Sequence, residues 1–253
     1  MVRAQATSPL KILSPRRRDG AAWVYTSTFG GGMVAGDNVQ LEVHVGRCAS
    51  CCLTTQSATK VYKSLHGRSS RQYLRASVSR DGLLVLAPDP TICFAKAVYE
   101  QRQRIDIDRG GAIVVVDWIT SGRRECGERW AFHRYSSRLD VFLAGERVLT
   151  EALLLDPLHG PVDAPLRMGR FHCLAVVVTI GERLADVSRR LVEEVAAKPV
   201  ASSQPLLESA SPIGCGAVVR ILGTTPQHVG RCLREKLSFT SEFLGADAWE
   251  RKW

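Results

Sequence analysis

The sequence predicts a mainly β protein that carries two α-helices near its C-terminus. Val39, Leu41, Val43 and Val45 alternate with Gln40, Glu42 and His44, the period of a half-buried strand. Short apolar segments recur up to residue 180, punctuated at Gly36-Asp37, Asp81-Gly82 and Arg109-Gly110-Gly111, where turns belong. Beyond residue 181 the apolar spacing changes to the helical period.

In chain order, strands are predicted at 21–28, 39–45, 51–56, 72–78, 83–86, 112–119, 139–143, 148–155 and 171–180. A helix follows over 182–198: Leu184, Val187, Leu191 and Val195 share one face, Arg189, Arg190, Glu193 and Glu194 lie elsewhere, and Pro199 ends the run. Residues 200–212, VASSQPLLESASP, hold neither period and are predicted to be a flexible loop. A strand at 217–222 leads to a second helix, with Thr225 as N-cap, Pro226 at the first helical position and Val229, Cys232, Leu233 and Leu237 facing inward. No repeat of fixed period marks a standard solenoid or propeller, and 1–253 is expected to form a single domain.

The 34 basic against 25 acidic residues give a net charge of +9, which attracts acidic partners. The one basic run, Arg16, Arg17 and Arg18, lacks interleaved aromatics and reads as a solvated face, so nucleic acid is not the expected partner. No stretch of about 18 apolar residues spans a bilayer, and the N-terminal segment lacks a secretory apolar core, so a soluble, cytoplasmic protein is expected. There the cysteines, at 48, 51, 52, 93, 126, 173, 215 and 232, are expected to be thiols and mostly small buried hydrophobes.

Four constellations invite chemistry. FGGGMVAGD, ending at Asp37, has phosphate-loop glycines but leads into a strand rather than a helix, so a tight turn is expected. TTQSATKVY places Ser57 three residues before Lys60, the spacing of an acyl-transfer nucleophile and base, without that chemistry's companion motifs. Asp117 and the segment GRRECGERW offer carboxylates, Glu125 and Glu128 among them, for acid/base work or metal, but Arg123, Arg124 and Arg129 stand ready to pair with them. Cys48-x-x-Cys51-Cys52 has no second cysteine pair to complete a structural zinc site, and His44 is expected on an outward strand face.

Taken in order, SPLKIL, FGGGMVAGD, TTQSATKVY, PDPTICF, GRRECGERW and SPIGCGAVVRILG resemble the successive signature blocks of the UreD (UreH) family of urease accessory proteins. FGGG, then GD, then a SATK-V-Y block some twenty residues on is the specific combination. The arginine common before GE in the fifth block is Cys126 here, and the tail ADAWERKW does not align.

The resemblance implies an elongated, many-stranded, partly β-helical body with a pair of C-terminal helices. It also implies a scaffold that is not an enzyme. Such a scaffold binds UreF and, through it, the GTPase UreG, docks on apo-urease, and passes nickel transiently while holding no tightly bound cofactor. Asp37, Ser57, Thr59, Lys60, Asp89, Asp117 and Glu128 fall in the family-like blocks and are the candidates for an internal polar path. Two other readings predict different structures. A hydrolase needs Asp117 and Glu128 to converge with one raised pKa. A nucleic-acid module needs the three arginines to join a basic stripe.

Overall fold

The computed structural model describes residues 3–14, 20–201 and 203–249, so Arg16, Arg17 and Arg18 lie outside the described residues. Its strands are β1 (Leu10–Leu13), β2 (Ala22–Thr28), β3 (Asn38–Val45), β4 (Ser50–Thr55), β5 (Thr59–Val61), β6 (Ser70–Val78), β7 (Leu83–Leu86), β8 (Thr91–Cys93), β9 (Val98–Ile107), β10 (Ala112–Thr120), β11 (Arg134–Leu143), β12 (Glu146–Leu155), β13 (Cys173–Ile180), β14 (Leu206–Ile213) and β15 (Gly216–Gly223). The helices are α1 (Ala185–Ala196), α2 (Pro226–Leu237) and the short α3 (Thr240–Leu244).

From β2 to β11 the chain winds as stacked coils, each giving one strand to each of two sheets. In the first sheet β2, β4, β7 and β10 run parallel, extended at one edge by β1 and at the other by antiparallel β13, β15 and β14. In the second, β3, β6, β9 and β11 run parallel and β12 closes the edge antiparallel. A shorter ladder of β5, β8 and the end of β10 makes a third side at one end of the coils. Trp23 is level with Cys52, Cys52 with Val85 and Val85 with Val114, steps of 29, 33 and 29 residues. The coil repeats in space but not at a fixed sequence period, because the loops between strands differ in length.

The helices cover the outer face of the first sheet, making three layers. Strand β10 is central and nearly all buried: Ala112, Val114, Val116 and Trp118 face the helices, while Ile113, Val115 and Ile119 face the second sheet. A strand covered on both faces reads as a continuous apolar run, as AIVV does here. Leu184, Leu191 and Val195 from the α1 region and Val229, Cys232, Leu233 and Leu237 of α2 fill the helix–sheet core, and the Thr225 side chain caps α2 by accepting from His228 N–H at 3.2 Å.

Several elements differ from the sequence reading, which has no strand at β1, β5 or β8 and no third helix at α3. The predicted loop at 200–212 contains β14, an edge strand in which Pro212 is tolerated as at edges generally. The whole of β9 was passed over as a strand, because its inward side chains begin Tyr99, Gln101, Gln103 before reaching Ile105 and Ile107. Of the cysteines, Cys52, Cys93, Cys173 and Cys232 are buried, Cys51 and Cys215 half-buried, and Cys48 and Cys126 exposed.

Glycine is required at Gly32 by close approach: an added Cβ would lie 2.8 Å from both the Lys60 carbonyl and the Tyr62 ring. The helix layer is pinned by a buried ion cluster. The Lys236 ammonium, inside α2, lies 2.8 Å from Glu208 of β14, and Lys198 reaches the other Glu208 oxygen at 2.6 Å. Burial works against the Glu208 charge, but these two lysines outweigh it and hold its carboxyl below the usual range. Glu208→Ala leaves Lys236 buried without its close partner and is expected to cost about 3 kcal/mol. Lys198→Ala, at a half-exposed cation, is expected to cost under about 1 kcal/mol. Urea unfolding of the two variants checks the order, and equal costs would contradict it.

Candidate functional site

Between the sheets, two apolar clusters fill the ends of the sandwich, and a polar layer separates them. Along β9, Tyr99 belongs to one cluster and Ile105 and Ile107 to the other, with Gln101 and Gln103 between. Along β11, Tyr135 and Leu139 flank Ser137; along β10, Ile119 and Val115 flank Asp117. The parallel register sets this layer: Gln72, Gln101 and Ser137 are level on β6, β9 and β11, and Asp117 faces them from the opposite sheet.

Hydrogen bonds connect the layer. The Tyr99 hydroxyl lies 3.1 Å from Gln72 Oε1 and 3.2 Å from Gln101 Oε1, and Gln101 Nε2 donates to Ser137 Oγ at 3.3 Å. Ser137 Oγ–H and Gln101 in turn donate to the Asp117 carboxylate. Burial raises the Asp117 carboxyl above the usual range, the two hydrogen bonds pull it down, and the charge of Glu151 adds to the rise. Burial likewise holds the Tyr99 and Tyr135 hydroxyls well above the ordinary phenol range. Gln103 Oε1 is buried without a hydrogen-bond partner among the described residues.

Cavities run through this layer. One of about 40 Å3 is lined by Thr55, Thr59, Gln72, Asp89, Gln101, Gln103 and Asp117. A second, about 210 Å3, shares Asp117 and Trp118 with the first and is walled by Leu139, Leu153, Leu174 and Val176. Across it Arg220 of β15 pairs with both oxygens of Glu151 of β12, joining the sheets. A third, about 50 Å3, shares Thr26, Leu41, Thr55, Thr59 and Gln72 with the first and adds Ser57. Asp117 therefore stands where two cavities meet, and what the arrangement offers is a line of oxygen ligands without an activated nucleophile.

The structure brings together Thr59, Asp89 and Asp117 on one cavity and Ser57 on its neighbour. Asp37, Lys60 and Glu128 are placed elsewhere. Asp37 closes its turn by accepting from Val34 N–H at 2.9 Å. Lys60 is exposed on β5, and Ser57 sits in a bend rather than a helical turn before it. Glu128 is clasped by Arg123, accepts from Ala95 N–H at 3.2 Å, and is held below the usual carboxylate range first by Arg123. Asp117 and Glu128 thus answer to separate partners on separate elements, contrary to the hydrolase expectation. Sequence reasoning missed Gln72, Tyr99, Gln101, Gln103, Ser137, Glu151 and Arg220; the signal was the polar inward run of β9. Among the described residues no three His, Cys, Asp or Glu side chains gather to hold a metal ion. No helix of the described residues is long and apolar enough to cross a membrane.

Comparison with known proteins matches this chain over residues 1–253 to the family described as UreD urease accessory protein. The urease accessory protein UreD of Sorangium cellulosum is 46% identical over 252 residues, 99% of this chain and 79% of that protein. The UreD of Anaeromyxobacter sp. is 39% identical over 251 residues, 99% of this chain and 84% of that protein. Urease accessory protein D of Oryza sativa subsp. indica is 35% identical over 274 residues, 97% of this chain and 89% of that protein.

A carboxyl whose folded pKa is raised contributes stability that is present below its unfolded pKa and lost as pH rises through the folded one. For Asp117 that window opens near 3.8 and extends upward. Asp117→Asn is therefore expected to gain stability relative to the parent between pH 4 and 7. Urea midpoints across that range check it, and parallel curves for the two proteins would refute the desolvated carboxylate.

Proposed function

The chain belongs to the UreD family of urease accessory proteins, maturation factors rather than enzymes, and on that footing we propose that it is a cytoplasmic scaffold for nickel delivery to urease. In this reading it binds UreF, meets the GTPase UreG through UreF, and docks on apo-urease, with nickel as passing cargo and no tightly bound cofactor. The observation that carries the reading is the full-length family match, supported by relatives at 35–46% identity.

The polar layer supports the delivery half of the proposal. A borderline cation in transit is met by oxygens that bind it weakly enough to release it. Asp117, with the Gln72, Gln101 and Thr59 oxygens lining the same cavity, supplies such a set at a largely half-buried level between the sheets. Asp89 lines that same cavity and Ser57 extends the set into the adjoining one, whereas Asp37, Lys60 and Glu128 serve turns and outer surfaces and are not assigned to the path.

Co-expression of this chain with urease, UreF and UreG tests the proposal by urease activity and bound nickel. Omitting the chain is expected to leave urease nickel-poor. Asp117→Asn and Gln101→Leu are expected to keep the accessory complex on size-exclusion chromatography while lowering activation at least about tenfold, the scale of losing a ligand or its support. Full activation without the chain would sink the scaffold reading, and full activation with both variants would remove the path from it.

A further inference from the structure

At the end of the coils where β5 and β8 form the third side, three loops meet: residues 29–37, 62–69 and 94–97. They are tied together on the surface. The Tyr62 hydroxyl donates to the Gly30 carbonyl at 3.0 Å, Ser70 Oγ–H to the Val34 carbonyl at 2.9 Å, and Ser64 N–H to the Lys96 carbonyl at 3.1 Å. The Tyr62 and Phe94 rings stack edge to face at 5.3 Å, and Arg123 lies over Phe94 at 4.0 Å.

This end exposes apolar side chains that the fold does not use. Phe29 is 60% exposed, Val34 54% and Leu65 70%. Leaving such groups in water costs free energy that a partner recovers. The same loops carry Lys63, Arg68 and Lys96, and adjoining β5 carries Lys60, all exposed and none in an ion pair with a described residue. The one acidic side chain of the three loops, Asp37, is occupied by the Val34 N–H. Exposed apolar side chains on loops that also carry unbalanced cations are complementary to an acidic surface with apolar groups of its own.

We propose that this loop face is the docking site for a protein partner that presents an acidic segment with apolar side chains at its centre, Phe29 and Leu65 entering the apolar contact and Lys63, Arg68 and Lys96 meeting the acids. The inference rests on the scaffold reading, since a scaffold needs such a face, and it deepens that reading by assigning where and by what chemistry it binds.

The test uses the full chain co-expressed with the matching UreF, with the complex captured through this chain and its Kd measured at 50 and 300 mM salt. Phe29→Asp and Leu65→Asp change exposed positions, and unchanged thermal unfolding verifies their folds. Each is expected to weaken binding at least tenfold, while Lys63→Glu with Lys96→Glu weakens it and flattens its salt dependence. Hydrogen exchange of the complex is expected to show protection at 29–37 and 62–69. Unchanged affinity in all variants overturns the assignment alone; absence of any complex with the parent chain overturns the scaffold reading and this face with it. Self-association of the chain through the same residues, or equally tight binding of a duplex DNA, would also overturn it by naming a different occupant.

Discussion

Parallel main-chain pairing between successive coils is the constraint on which the rest of the structure depends. It places residues of different coils at one level, so a side chain repeated at that level becomes a continuous stripe across the sheet. Val45, Val78 and Ile107 make such a stripe at one end, and Gln72, Gln101 and Ser137 make the polar one. Ser137 and Asp117 then bridge from one sheet to the other. Apolar side chains would fill this level without the cost of burying amides and a carboxyl, so stability does not require the layer. Its hydrogen bonds, running from Gln72 through Tyr99, Gln101 and Ser137 to Asp117, offset part of that cost.

The same winding separates the tasks of the surfaces. Helices α1 and α2 cover one outer face and are fastened by Lys236 and Glu208. Turns gather at the ends of the coils, where loop length is free to vary, and one end carries Phe29, Leu65 and their basic neighbours. The proposed path in the interior and the proposed docking face on the loops therefore draw on separate side chains.

Much of the fold was legible because its strands obey simple periods. Val39 to Val45 alternate cleanly, β10 is an apolar run, and Thr225-Pro226 announces α2. The coil was hidden by unequal steps of 29 and 33 residues, and β14 by its serines and Pro212. Strand β9 was hidden by the feature that matters most, since glutamines at core positions erase the apolar alternation by which a strand is recognised. The candidate site was legible only in part for the same reason. Motif reading found Asp117, Asp89, Thr59 and Ser57, which reach the cavities. It equally offered Asp37 and Glu128, whose carboxylates are spent on a turn and on Arg123. Local sequence shows that a carboxylate exists; the register between distant strands decides what it faces.

The central claim is that Asp117 is a desolvated carboxylate at the junction of two cavities within a hydrogen-bonded polar layer. A site-resolved carboxyl carbon NMR titration of the chain, with Asp117→Asn identifying the resonance, addresses it most directly. The account predicts that this carboxyl titrates above the ordinary aspartate range and that substoichiometric nickel broadens its signal before those of surface carboxylates. Titration in the ordinary range, with nickel broadening the exposed carboxylates first, would contradict it.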